Sequence, residues 1–319
     1  MAAGSSPRYA SGIHFHPGVA ISTPDAPSRA PDGLSRFAPV GAALAALVAL
    51  LAIGYGVDLW TRARLVERQR QDIQLRLAPY ANSISVGLKR RLERLNGLKA
   101  FVESAHSLNE VNRDFPVLAA GLLQGASGVS ALALLKNGRV RWIYPLKGNE
   151  KALDLDLIDD PRAEIREDMR RMEQTDSVVI TGPLAVASGG VGLIARERLH
   201  TGDPSLPDAV TVVVDVDSLL AVAGMLNGVP SLDVALLDRS GARMGSSRGP
   251  MPPNPAQVSV VTPDGHFTLV GSPISGWNAA VAATLLAVRA AGLTIVFLFA
   301  GLIYLIIERQ SRLDRKSVV

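Results

Sequence analysis

The chain has 319 residues and no cysteine; that is enough for about two domains, and the missing thiols exclude a disulfide framework, a thiolate metal site and a cysteine nucleophile. Lys and Arg number 33 against 29 Asp and Glu, a formal charge of +4, and the basic residues flank apolar runs instead of forming a patch, so no nucleic-acid partner is expected. Mean hydropathy is +0.22 with 48% hydrophobic residues, high for a soluble protein, and two segments carry much of the excess.

Residues 1–36, rich in Ala, Ser, Pro and Gly, cannot bury enough apolar surface to order themselves and read as a disordered cytoplasmic tail. His14 and His16 have no third ligand nearby, so a metal site is not expected there. Residues 37–60, FAPVGAALAALVALLAIGYGVDLW, supply the roughly 20 apolar residues that cross a bilayer, with Asp58 as the one charge and Tyr55 and Trp60 as interfacial anchors. A cleaved signal peptide fits less well, since its apolar core is only about 7–15 residues and lies nearer the N-terminus. Residues 61–113 predict a stalk helix continuing that span. Its apolar positions Ile84, Leu88, Leu92, Leu95, Leu98 and Val102 recur at intervals of three and four, facing either a core or a second copy of the chain in a coiled coil, and a homodimer is expected. Pro79 is expected to kink or interrupt the helix near Tyr80.

Beyond the stalk, 129–135 and 140–145 flank Asn137-Gly138 as a hairpin pattern. Asp160-Pro161 reads as an N-cap and first-turn proline opening a charged helix that ends before Ser177. Residues 177–181 and 191–199 read as strands, TGDPSLP (201–207) as a linker, and 209–214 as a strand. A helix capped by Asp217, a strand over 233–237, the turn 238–241 and a hairpin around Pro263-Asp264-Gly265 come next. The order describes an α+β fold: two small antiparallel modules, a distal one over 114–200 and a membrane-proximal one over 207–278. A second transmembrane helix spans 279–307, with Arg289 snorkelling toward the interface, and 308–319 is a cytoplasmic tail. Arg309, Arg312, Arg315 and Lys316 place the C-terminus inside by the positive-inside rule; the arginines after the first span argue the other way, but long domains translocate largely regardless of charge. The expectation is a two-pass inner-membrane protein whose central domain is periplasmic.

The stretch 142–162, WIYPLKGNEKALDLDLIDDPR, followed by SVVITGPL and SGGVGLIA, resembles the CHASE domain, an extracytoplasmic sensor module of bacterial receptors and plant cytokinin receptors. The resemblance implies a long stalk helix carrying two tandem PAS-like modules, with a small-molecule pocket in the distal one. The acidic residue of the family's D-L pair falls on Leu155-Asp156, which makes Asp156 the ligand's partner; Ile180 and Ser188 also fall on pocket positions, and Trp142 and Tyr144 are expected beside them. Two departures stand out: the glycine usual before the Leu-Asp pair is Asp154, and Glu197-Arg198-Leu199 replaces the expected Pro-Val. The bland reading of Asp156 is the exposed member of an alternating strand.

Neither G-x-G-x-x-A at 190–195, which reads as a strand, nor G-x-S-x-G at 245–249, which precedes MPPNP, stands in the context its chemistry needs. No convergent acid, base and nucleophile set is found, so the chain is expected to have no catalytic site and no cofactor. The function expected is small-molecule sensing in a signal-transduction receptor whose output domain is absent from this chain: either the chain is part of a longer receptor, or it signals through a separate partner such as a kinase or cyclase. The alternative is a membrane-anchored scaffold or assembly protein whose outer modules bind protein.

Overall fold

The computed structural model describes residues 38–187, 189–241, 243–244 and 253–316; the expected tail over 1–36, Ser188 and Ser247 lie outside them. The chain divides into two compact units, Met1–Ile53 and Gly54–Val319. The described part of the first is the opening of helix α1; both sheets and the other helices belong to the second.

Helix α1 (Ala38–Ser104) runs for 67 residues. Over 45–60 its apolar side chains are largely exposed, whereas Ile73, Leu77, Ala81, Ile84, Leu88, Leu95, Leu98 and Val102 are at most 2% exposed. This is the stripe read from the sequence, and the chain buries it against its own sheets. The coiled-coil alternative is therefore corrected at Ile84, Leu88, Leu95 and Val102. Pro79 lies inside α1, so the interruption expected there does not occur. Leu77 and Ala81 on either side of it are buried. The stalk stops at Ser104, not 113, and α2 (Leu108–Leu123) begins where the Ser107 hydroxyl accepts the Glu110 N–H at 3.3 Å.

The first sheet contains β1 (Val129–Lys136), β2 (Arg139–Tyr144), β3 (Val179–Ala185), β4 (Val191–Arg198) and β5 (Ala209–Asp215) in the order β2-β1-β5-β4-β3, all antiparallel. The β1–β2 turn has left-handed Asn137 and Gly138, as an Asn-Gly hairpin requires. Helix α3 (Ala163–Gln174) lies between β2 and β3; its N-cap is Arg162, not Asp160. Strand β5, expected in the membrane-proximal module, is the centre of this sheet. Its run AVTVVVD is apolar on both faces, as a central strand's must be, so TGDPSLP is a β4–β5 loop and not a domain boundary. Helix α4 (Val216–Val222) comes next, capped by Asp215 instead of Asp217, with the carboxylate accepting the Ser218 N–H at 2.6 Å.

The second sheet orders β6 (Leu232–Leu237), β7 (Arg243–Met244), β8 (Ala256–Thr262) and β9 (Gly265–Pro273) as β7-β6-β9-β8, again antiparallel. Both sheets pack along α1. Leu132, Leu134, Leu193, Val210, Val212 and Val214 of the first and Leu232, Leu236, Val260 and Leu269 of the second join the α1 stripe in one core. At Gly271 of β9 a Cβ would come within 2.8 Å of Leu77 Cδ1, so the close approach of strand to helix needs glycine. Helix α5 (Gly276–Lys316) leaves β9 at once. Both α1 and α5 contain stretches long and apolar enough to cross a membrane.

Candidate functional site

Strand alternation gives the first sheet two faces with different fates. One carries the core against α1 and α2. The other carries Ala133, Leu135, Val179 and Ala209 and is covered by Ile165, Met169 and Met172 of α3 and by Leu157. The backbone register sets Ile143, Ala133, Thr211, Arg196 and Val179 in one row across this α3-covered face.

Arg196 is the anomaly in that row. It is 4% exposed, and its Nη1 donates to Thr181 Oγ1 at 2.9 Å. Its Nε and the Oγ1 of the adjacent Thr211 are both buried without a hydrogen-bond partner among the described residues. Burial pushes the Arg196 pKa down to about 10, so the guanidinium stays charged at neutral pH. Asp160 and Asp168 favour that charge from a distance, but both are occupied by other arginines. Arg162 grips Asp160 with Nε and Nη2 at 2.8 Å each, and Asp168 Oδ1 accepts from Arg171 at 2.7 Å and Arg239 at 3.3 Å.

Beside α3 and β3 opens a cleft of about 500 Å³ lined from both sheets, with Glu164, Asp168, Arg171, Ile180, Arg239 and Phe267 in its walls. Here the second sheet holds the first. The Ile180 N–H donates to Asp264 Oδ2 at 2.9 Å and the Ile180 carbonyl accepts from Arg239 Nη2 at 3.3 Å. Arg171 and Arg239 both pair with Asp264 as well.

The residues expected to form one pocket are distributed differently. Trp142 and Tyr144 pack on the α1 and α2 side, where Trp142 Nε1 donates to Asn112 of α2 at 2.7 Å. The Ile180 side chain joins that same core, while Leu155 packs under α3 on the opposite face. Asp156 sits at the edge of β2: its Oδ2 pairs with Arg139 at 2.5 Å and its Oδ1 accepts the Ile158 and Asp159 N–H groups at 3.0 and 3.3 Å. The structure thus does not bring Asp156, Leu155, Trp142, Tyr144 and Ile180 to one place, and Ser188 is outside the described residues. Arg196 and Thr211 were missed. The available signal was alternation, which continues the apolar face of Gly192 and Ile194 into Arg196, ahead of the charged strand end Glu197-Arg198.

A second groove, of about 630 Å³, runs between α1 and the α2–β1 loop and is lined by Asn82, Ser83, Arg90, Arg91, Arg94 and Ser127, among others. No group of three or more His, Cys, Asp or Glu suited to a metal ion occurs among the described residues.

No family model and no curated protein sequence matches the chain. Solved structures similar to it include sensory and ligand-binding domains of receptors. An extracellular ligand-binding receptor from Desulfohalobium retbaense is 12% identical with a TM-score of 0.41 over 65% of this chain; the match spans only 39% of that receptor's length. The sensory domain of the Campylobacter jejuni chemoreceptor Tlp3, solved with isoleucine bound, is 9% identical with a TM-score of 0.46, covering 69% of this chain and 98% of that one. The extracellular domain of the putative histidine kinase rpHK1S-Z16 is 15% identical with a TM-score of 0.47, covering 66% of this chain and 96% of that one.

Proposed function

We propose that the chain is a two-pass inner-membrane sensor of CHASE type, in which a periplasmic domain of two PAS-like modules binds a small molecule and passes the event to the membrane. The observation that carries this reading is the adjacency of Ile180 and Thr181 on edge strand β3. The Thr181 side chain reaches the α3-covered interior and touches Arg196, while both backbone groups of Ile180 are bonded to the second sheet, which continues into α5. A ligand that favours one arrangement of β3 also favours one seating of the second sheet, and only such differential affinity can shift a two-state equilibrium. The interior beneath α3 is the proposed pocket, because the Asp156 carboxylate is already committed to Arg139 and two backbone N–H groups. A homodimer is proposed through the outer side of α1, where Leu75 and Val86 are 74% and 42% exposed, and the output partner is proposed to be a separate kinase or cyclase.

Alkaline phosphatase fused after Trp142 tests the topology, and an active fusion is expected. An inactive fusion there, with an active cytoplasmic reporter at the same place, ends the periplasmic reading. The scaffold alternative draws on Leu146, Leu153 and Ile158, exposed close together in sequence after β2. Under it, polar replacement of all three abolishes capture of a protein partner and no small molecule raises the melting temperature.

A further inference from the structure

The resemblance implied an acidic residue waiting for a donor on the ligand. The interior beneath α3 has the opposite character. Asp160 and Asp168, the carboxylates whose charges bear on Arg196, are held by Arg162 and by Arg171 with Arg239, respectively. Arg196 is thereby a buried cation without a counter-ion of its own. Its Nε–H and the hydroxyl of Thr211 are both unpartnered, on adjacent strands at directly paired positions. An unpartnered buried donor is costly to keep and a charged one more so, and two at one spot define a place for an acceptor.

Resting on the sensor reading above, we propose that the ligand's recognised group is a small carboxylate, accepting hydrogen bonds from Arg196 Nε–H and Thr211 Oγ1–H. The neighbouring residues allow for it. Ala133 pairs with Thr211 in the row across the sheet, and Ala209 lies two residues along the same face, so the side chains beside the donors are small. The cover includes Met169 and Met172, whose unbranched thioethers repack with little cost when a small group enters. Guanidinium and carboxylate are matched in sign, and charge-assisted hydrogen bonds are stronger and shorter than neutral ones. The nearby cleft carries Glu164, Glu167 and Asp168 against Arg171 and Arg239. It therefore offers a ligand no net positive wall, and selectivity for the anion falls on Arg196 itself.

The full chain in lipid nanodiscs, in chloride-free buffer, is titrated with acetate, propionate and pyruvate, and in parallel with acetamide and propionamide. The carboxylates are expected to raise the melting temperature and the amides to leave it unchanged. Arg196→Met is expected to weaken carboxylate binding roughly ten- to a hundred-fold. Thr211→Val, which keeps shape and leaves the charge in place, guards against loss of fold and is expected to weaken binding by a smaller factor. Binding by none of the three carboxylates, equal response to the amides, or unchanged affinity in both variants overturns the assignment. A neutral compound that binds parent and variants alike removes the anion and leaves the sensor standing. An inactive periplasmic fusion removes the sensor reading whatever the carboxylates do.

Discussion

Arg289 of α5 holds Asp58 of α1 by both carboxylate oxygens, Nε to Oδ1 at 2.8 Å and Nη2 to Oδ2 at 2.9 Å. Arg289, which sequence reasoning left to snorkel alone, thus has a fixed partner 231 positions away. One turn further along α1, Arg62 Nη2 donates at 2.7 Å to Oδ1 of Asn278, which lies about three turns before Arg289 on α5. The two long helices are tied side by side where each meets its apolar stretch.

Reversing either charge alone, Asp58→Arg or Arg289→Asp, puts like charges at this junction, and exchanging both restores attraction. With no native cysteine to interfere, Arg62→Cys paired with Asn278→Cys reports helix proximity through a short bismaleimide. Crosslinking is expected to fall in each single variant and to recover in the exchange. Equal crosslinking in all of them would mean that the pair does not position the helices.

Asp264 gathers Arg171, Arg239 and the Ile180 N–H onto one carboxylate with 8% side-chain exposure. Asp264→Ala leaves Arg171 and Arg239 sharing Asp168 alone and a strand N–H unpartnered. A loss of about 3 kcal/mol is expected, the lower end for breaking a buried pair, since both arginines keep some contact with solvent. Denaturant unfolding measures it, and a loss within the surface range of about 0.5 kcal/mol contradicts the buried network.

Acid should act through Asp160. Its hydrogen bonds from the Arg162 side chain hold its carboxyl below the usual aspartate value against the opposing effect of burial. Because the folded pKa is the lower one, the resulting stability is present above the unfolded value of about 4 and fades as pH drops through the folded value. The gap in melting temperature between the parent and Asp160→Asn is therefore expected to close as pH falls below about 4. A constant gap across that range assigns the difference to shape, not charge.

Asp154 has a φ of +60° and pairs with Arg141 at 2.7 Å on the surface. Glycine, which the resemblance expects here, takes this left-handed conformation freely, and aspartate is among the few other residues that tolerate it. Asp154→Gly should be neutral to about 0.5 kcal/mol and Asp154→Val should cost about 1–2 kcal/mol. Thermal unfolding of the two side by side checks this, and equal stability shows that the turn relaxes.

What the sequence made legible was local. The Asn137-Gly138 turn and the Ile84 to Val102 stripe are set by neighbours a few residues away, and both are found in the structure. The place of β5 was not readable. Its partners β1 and β4 are chosen by a long-range competition among apolar strands, and a loop rich in Gly and Pro between β4 and β5 looks the same whether it joins strands or domains. The site failed for a related reason. Trp142 and Asp156 are close in sequence, but alternation along β2 sends Trp142 to the α2 side and Ile143 to the α3 side, and sequence distance does not report which side of a sheet a residue serves.

Pro79 sits in α1 between Leu77, whose side chain occupies the space a Cβ on Gly271 of β9 would take, and Gly87, where a Cβ would meet Leu219 of α4 at 3.3 Å. An α-helix rises about 1.5 Å per residue, so in the proposed sensor α1 is a rod that carries a push from the first sheet toward Asp58. Bending is another matter. Proline denies the Leu75 carbonyl its usual donor four residues on, so α1 has a built-in soft joint inside the stretch that packs on the second sheet, between Leu77 at Gly271 and Ser85, whose hydroxyl donates to the Val261 carbonyl at 2.6 Å. In the proposed sensor such a joint absorbs sideways bending of α1 beneath the second sheet, so sliding of the helix reaches Asp58 more readily than rocking.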